Sequence, residues 1–253
     1  MSVATRDNPA QMPEYSISRT NILYALTVIT AISMLITFYL ALFYAPTDAN
    51  QGQVQRILYV HVGGFTAGST AFFMTVVAGI MYLRTRDLKW DRLAISSVEI
   101  GLPLMTVTLL TGMAWARPIW NTWWTSDPRL NSMAVMWLLY AAYLTLRSAI
   151  DSPDRRARFA SVYGILAFIS VLYVFIVIRI RPDTLHPVIL GPSVYNPLAK
   201  GGFELRTSPA IGMTMGIGST AWMLLAFTLV WYRVRAENIA EKVQAIKLRL
   251  MER

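Results

Sequence analysis

Long apolar runs recur along this chain, and they constrain its fold more than any other feature. A helix needs roughly 20 apolar residues to cross the hydrocarbon core of a bilayer. Charge-free runs meet or approach that length five times, and a sixth run is broken only by Glu99. The pattern predicts an all-α integral membrane protein in which residues 1–253 form one membrane domain with six transmembrane helices. The spans are predicted at about residues 22–46, 57–83, 93–114, 130–147, 159–178 and 209–232.

The composition agrees with a membrane protein and excludes several other classes. Charged residues make up 15% of the chain, against about a quarter in a soluble domain. The net charge of +9 comes from basic residues in short groups between apolar runs, which does not indicate a nucleic-acid partner; membrane lipid is the partner expected. Because the chain has no cysteine, it forms no disulfide or thiolate metal site and is not itself a c-type cytochrome.

The distribution of Lys and Arg predicts the orientation in the membrane, because cytoplasmic loops carry an excess of both. The two termini and the second and fourth loops together hold 16 of these residues, and the other three loops hold 7. Both termini are therefore predicted to be cytoplasmic. The first loop, a Trp-rich loop at residues 115–129 and a long loop at residues 179–208 are predicted to lie outside, and residues 233–253 form a cytoplasmic tail.

This orientation brings the only two histidines to the same face of the membrane. His61 lies one turn into the second span, and His186 lies in the long outer loop. Neutral imidazoles are good axial ligands for haem iron. The Trp-rich loop, which lies at the same face, offers an aromatic platform, and neighbouring arginines suit propionates. Those arginines are Arg56, Arg117 and Arg129.

Each of these features also has a simpler structural interpretation. A histidine at a helix end is commonly only an interfacial hydrogen-bonding residue, and tryptophans commonly form an interfacial belt. Four tryptophans within ten residues are denser than anchoring alone requires. Gly64 and Gly68, on the face of His61, leave room for either a flat ring or a closely packed helix. Glu99 is explained by a local partner or by snorkelling.

With these residues identified, the sequence resembles the haem-handling protein C family of cytochrome c maturation (CcmC). That family belongs to the tryptophan-rich superfamily that also contains CcmF and CcsA. The similarity runs through residues 51–61 and 111–130 and continues more weakly through 151–155 to 184–186. It covers about two thirds of the chain, and the Trp-rich motif is its most specific part.

The resemblance implies a function and a set of site residues. The function is non-covalent binding of haem b at the outer face of the inner membrane and its presentation to the periplasmic haem chaperone CcmE. The implied partners are CcmA, CcmB and CcmD. It also implies that the protein is not an enzyme, although a haem-lyase-like assisting role stays open. His61 and His186 are implied as axial ligands and Arg56 and Arg129 as contacts to propionate or chaperone. The implied platform residues are Trp115, Trp120, Trp123, Trp124 and Asp127.

The chain departs from the family pattern at a few positions. It has Ala116 and Asn121 where glycine is usual, and Ser126 where an aromatic residue is usual. The loop before His186 lacks expected tryptophans, which makes His186 a less secure ligand than His61. Two other functions remain as alternatives. One is a membrane scaffold or transporter subunit that docks a periplasmic partner through the Trp-rich loop; the other, less favoured, is a b-type electron-transfer protein.

The cytoplasmic tail is predicted to be helical, because apolar residues recur at helical spacing along it. Such a seam suits a partner helix or the membrane surface, and a solvated extension of the sixth span explains the pattern equally well. The seam residues are Ile239, Val243, Ile246 and Leu250.

Overall fold

The computed structural model describes residues 17–48, 51–181, 183–186 and 208–251. Most of the predicted long outer loop, at residues 187–207, and the first 16 residues therefore lie outside the described residues. Six long helices account for most of the rest, and no strand occurs within the described ranges, as the all-α prediction requires. The helices are α1 (Ile17–Tyr39), α2 (Ile57–Thr85), α3 (Leu88–Trp120), α4 (Pro128–Ser148), α5 (Pro153–Ile180) and α6 (Pro209–Met251).

Five of the six helices are long and apolar enough to cross a membrane. They are α1 with the π-helical turn Leu40–Tyr44 that follows it, α2 with the 3-10 turn Gln53–Arg56 that precedes it, and α3, α5 and α6. Five of the six predicted spans therefore correspond to helices that are candidates for crossing the membrane. The remaining helix, α4, has 21 residues. Its charge-free stretch is shorter, residues 130–146, because Arg129 and Arg147 lie at its two ends. It packs beside α5 within the helical bundle.

The central helix is α2, which packs against α3, α5 and α6. Its glycines allow α3 to come close. A Cβ atom on Gly64 would lie 2.8 Å from Thr108 Oγ1, and one on Gly68 would lie 2.9 Å from the Met105 side chain. Small residues at such crossings let two backbones approach within a bilayer. The room left by these glycines is therefore filled by a neighbouring helix and not by a flat ring.

The helix α3 extends beyond the predicted span at the end of the bundle that carries the Trp-rich loop. It continues through Pro118 to Trp120, so residues 115–120 of the predicted Trp-rich loop are helical. Asn121 ends the helix in the left-handed conformation, with φ of 55°. The Arg117 side chain donates a 2.8 Å hydrogen bond to the Asn121 carbonyl and so stabilises this turn. The irregular loop is thereby reduced to residues 121–127.

At the opposite end, α6 continues beyond the bundle as one unbroken helix to Met251. Arg233 on α6 forms an ion pair with Glu99 on α3 at 2.8 Å, and Arg92 pairs with Glu241 at 3.0 Å. Glu99, the one acidic residue in a predicted span, thus has a local partner. The apolar seam of the tail is exposed, with Ile239 at 50% and Leu250 at 64%.

Candidate functional site

A cavity of about 500 Å³ opens at the end of the bundle that carries both histidines. Its volume falls within the range of small-molecule and cofactor sites. Helices α2, α3, α4, α5 and α6 all contribute to its walls, together with the Trp-rich loop. Most of the lining side chains are apolar or aromatic, among them Val62, Phe65, Leu109, Met113 and Phe175.

His61 projects from the first turns of α2 and is held by α3. Its Nδ1 lies 2.9 Å from the Thr108 carbonyl oxygen. Because a carbonyl oxygen can only accept, Nδ1 carries the proton and the lone pair of the neutral ring is on Nε2. A histidine that donates one ring nitrogen in this way is oriented and made more basic for metal binding through the other.

His186 lies across the cavity from His61, although 125 positions separate the two in the sequence. Both line the cavity, and their ring centroids are 6.2 Å apart with an angle of 30° between the ring planes. An imidazole–metal bond is about 2.0 Å, so two imidazoles bound to opposite sides of one ion have centroids about 6 Å apart. The spacing of these two rings is therefore compatible with shared ligation of a single iron.

Three of the four tryptophans of the predicted platform line the cavity, namely Trp115, Trp120 and Trp124. Trp115 and Trp120 contact each other edge to face at a centroid distance of 5.0 Å. The Trp115 indole N–H donates a 2.8 Å hydrogen bond to Gln51 Oε1 in the segment between α1 and α2. Trp123 does not line the cavity, and 55% of it is exposed.

Of the two arginines predicted to contact propionate or chaperone, one lines the cavity and the other does not. Arg129 lines the cavity, with its guanidinium 5.6 Å from the Phe65 ring centre. Arg56 lies outside the cavity wall: its Nε donates to Gln53 Oε1 at 2.6 Å, and its guanidinium also donates to the Ala41 carbonyl of the π-helical turn. A second cavity arginine, Arg179, comes from the last turn of α5. The described side chains that line the cavity include these two arginines and no carboxylate.

Asp127 is buried beside the cavity and does not line it. Its Oδ1 accepts hydrogen bonds from the backbone amides of Arg129 and Leu130, at 2.8 and 3.2 Å, and so caps the start of α4. Its Oδ2 binds the segment just before His186. Asp127, which the resemblance implied as a platform residue, therefore contacts Arg129 through the backbone amide of that residue.

Sequence reasoning missed three contributors to this site. The Thr108 carbonyl is a backbone group 47 positions from His61, and no sequence motif marks such a contact. Gln51 lies in the segment 51–61 that resembles the family, but the sequence gives its side chain no role of its own. Arg179 was assigned to a loop because it ends an apolar run, whereas the described helix carries it into the cavity. The signal that the sequence offered for Arg179 was its place as the first basic residue after the fifth apolar run.

The geometry defines a class of protein: a multi-pass helical membrane protein with an apolar, aromatic and electropositive cavity that contains two facing imidazoles. Comparison with known proteins agrees with this class. The family model for heme exporter protein C (CcmC) matches residues 7–249. The chain belongs to that family.

Individual relatives show the extent of the similarity. The heme exporter protein C of Rhodobacter capsulatus is 30% identical over 173 residues, which cover 68% of this chain and 69% of the relative. That of Escherichia coli strain K12 is 30% identical over 196 residues, covering 76% and 74%. The Paracoccus denitrificans protein is 28% identical over 207 residues, covering 82% and 83%.

Proposed function

We propose that this protein binds haem b non-covalently in the cavity and presents it to a periplasmic haem chaperone during c-type cytochrome biogenesis. The observation that carries the proposal is the pair of facing imidazoles, His61 and His186, 6.2 Å apart in an apolar cavity. Membership of the heme exporter protein C family supports haem as the ligand. Haem bound here would supply an iron, and His61 and His186 would hold it through their imidazole nitrogens.

The residues of the cavity fit this ligand. Trp115, Trp120 and Trp124 supply aromatic surface for a porphyrin. Arg129 and Arg179 supply positive charge for its two propionates, and arginine is suited to such carboxylates because it can pair with them bidentately. Arg56 is not a cavity residue, so any contact it makes to a chaperone would be at the outer surface. The protein acts in this proposal as a haem-transfer component and not as an enzyme.

The proposed setting is the inner membrane, with both termini in the cytoplasm and the cavity facing the periplasm. The 16-to-7 distribution of basic residues supports this orientation. The partners proposed from the family resemblance are CcmE as the chaperone and CcmA, CcmB and CcmD as the membrane complex.

The test is the optical spectrum of the protein purified from membranes. We expect a Soret band and, because two imidazoles are strong-field ligands, a low-spin spectrum. His61→Ala and His186→Ala should each weaken haem binding and convert the spectrum to high-spin or mixed, and added imidazole should partly restore the low-spin bands. The effect of His61→Ala should be larger, because a ligand on a helix is better positioned than one on a loop.

Met113→Leu is the matched control, because it changes another cavity residue and removes an alternative thioether ligand. This variant should keep the low-spin spectrum. An unaltered low-spin spectrum in the double variant His61→Ala/His186→Ala would refute the ligand assignment.

One observation favours a second function, that of a scaffold which docks a periplasmic partner. Trp123 is 55% exposed and does not line the cavity, as expected of a docking residue. A scaffold without stable haem would be colourless after purification. The b-type electron-transfer alternative is less supported, because both histidines lie at the same end of the bundle.

A further inference from the structure

The carboxylate of Asp127 joins three parts of the molecule. Through Oδ1 it caps α4, and it is itself the last residue of the irregular part of the Trp-rich loop. Through Oδ2 it accepts a 2.9 Å hydrogen bond from the Thr184 hydroxyl and a 2.5 Å hydrogen bond from the Leu185 amide. Asp127 is only 4% exposed, so these hydrogen bonds are shielded from competing water.

The contact continues toward His186 through Thr184. The Thr184 hydroxyl, which donates to Asp127, also accepts a 3.3 Å hydrogen bond from the His186 backbone amide. The last helical residue of α5 is Ile180, so this segment has left the helix and needs other contacts to hold its conformation. Asp127 supplies two of them within two residues of the histidine.

We propose that Asp127 is the positioning residue for His186, holding the segment Thr184–Leu185 so that the His186 ring faces His61 across the cavity. This inference rests on the proposed function, because it assigns the contact to the orientation of a haem ligand. It differs from a role in the aromatic platform, since Asp127 does not line the cavity.

The chemistry requires a carboxylate at this position. Four groups donate to Asp127, two to each oxygen, and an ionised carboxylate can accept all four. In Asp127→Asn, one oxygen is retained and can still cap α4. The amide nitrogen that replaces the other oxygen is a donor and cannot accept from Thr184 or Leu185. The substitution therefore separates the helix cap from the contact to the His186 segment.

The first experiment uses the haem-free full-length protein and measures backbone amide hydrogen exchange. Asp127→Asn and Thr184→Val should accelerate exchange at Leu185 about tenfold, the effect of losing one or two charge-assisted hydrogen bonds. Exchange at Leu130, which reports the cap of α4, should stay close to that of the unmodified protein. Faster exchange at Leu130 with unchanged exchange at Leu185 would show that Asp127 only caps the helix, and would overturn the proposal.

The second experiment measures the carbon monoxide concentration that half-saturates the reduced, haem-loaded protein. Carbon monoxide must displace an axial ligand, so a less firmly held His186 lowers this concentration. We expect about a tenfold decrease in Asp127→Asn and Thr184→Val, and a larger decrease in His186→Ala. Thr184→Ser keeps the hydroxyl and should behave like the unmodified protein.

Asp183→Asn is the matched control on the same segment. The Arg181 guanidinium bonds to Asp183 at 2.7 and 2.8 Å and holds the pKa of that carboxyl below its usual range. This pair is exposed, and among the described residues the bonds to Asp127 Oδ2 come from Thr184 and Leu185 and not from this pair. Its loss should leave both Leu185 exchange and carbon monoxide binding unchanged.

The two proposals fail in distinguishable ways. If His186→Ala binds carbon monoxide as the unmodified protein does, His186 is not a ligand and the proposed function is wrong at this residue. Tighter carbon monoxide binding by His186→Ala, with unchanged binding by Asp127→Asn and Thr184→Val, would support His186 as a ligand. The same result would refute the positioning role of Asp127.

Discussion

At the scale of single residues, the orientation of the His61 ring depends on two groups of α3. Its ring is held between the Thr108 carbonyl, at 2.9 Å from Nδ1, and Gly112, whose position leaves space for the ring edge. A Cβ atom on Gly112 would lie 2.9 Å from Cε1 of His61. The glycine is therefore needed for close approach at this position.

Gly112→Ala should push the His61 ring away from the Thr108 carbonyl and weaken haem binding. Loss of the contact that orients a metal ligand commonly costs 10- to 100-fold in affinity, so we expect about a tenfold loss here. Haem titration of the apoprotein measures it. Gly216→Ala is the control, because its added Cβ would meet no atom within 4 Å although Gly216 also lines the cavity. Equal affinities of the two variants would contradict this account.

At the scale of elements, a buried ion pair joins α3 to α4 at the end opposite the cavity. Arg147 contacts both carboxylate oxygens of Asp91, at 2.5 and 2.8 Å, and the two side chains are only 7% and 10% exposed. The Arg147 Nε has no hydrogen-bond partner among the described residues. The pair therefore fixes the contact between α3 and α4, although one polar atom of the arginine makes no hydrogen bond there.

Asp91→Leu should lower the free energy of unfolding by about 3–5 kcal/mol, because it leaves a buried guanidinium without its counter-ion. The double variant Asp91→Leu/Arg147→Met should recover most of that loss, since apolar pairs often replace buried ion pairs at little cost. Denaturation in detergent measures both effects.

Glu241→Gln is the control for this series, because it breaks the exposed pair with Arg92. Its effect should be at most about 1 kcal/mol, as for other surface pairs. A double variant no more stable than Asp91→Leu alone would argue against ion pairing as the source of the cost.

For the whole molecule, the helices bring the Trp-rich loop and His186 to one end of the bundle. The turn between α4 and α5 lies at the other end, where the Tyr82 hydroxyl at the end of α2 donates to the Asp154 carbonyl. If the proposed orientation is correct, the first end faces the periplasm and the second the cytoplasm.

Ser126→Cys and Ser152→Cys test this orientation. Both serines are exposed, the substitutions are nearly isosteric, and the chain has no other cysteine. In intact spheroplasts an impermeant thiol reagent should label Ser126→Cys and should label Ser152→Cys only after the membrane is opened. The reverse pattern would invert the proposed topology.

The sequence alone predicted the class of fold and the family. Apolar runs of membrane-spanning length are a local property, because each helix must satisfy its backbone hydrogen bonds within itself in lipid. The positions of five spans followed from them. The Trp-rich motif was equally local, and the family model confirms the resemblance drawn from it. The fourth span was harder to predict from the sequence, because the arginines at the two ends of α4 shorten its apolar run. One of them, Arg147, is buried because it pairs with Asp91, 56 positions away.

Only the tertiary structure decided how the site is assembled. From the sequence, His61 and His186 were expected as iron ligands and Asp127 as a platform residue. The groups that hold each of these side chains in place could not be predicted from it. The Thr108 carbonyl that orients His61, and the Asp127 oxygen that binds the Thr184–Leu185 segment, become partners only when distant helices pack together. Hydrogen bonds between such groups depend on distance and angle, which follow from the packing of α2 against α3 and of α4 against α5, and not from the order of residues along the chain.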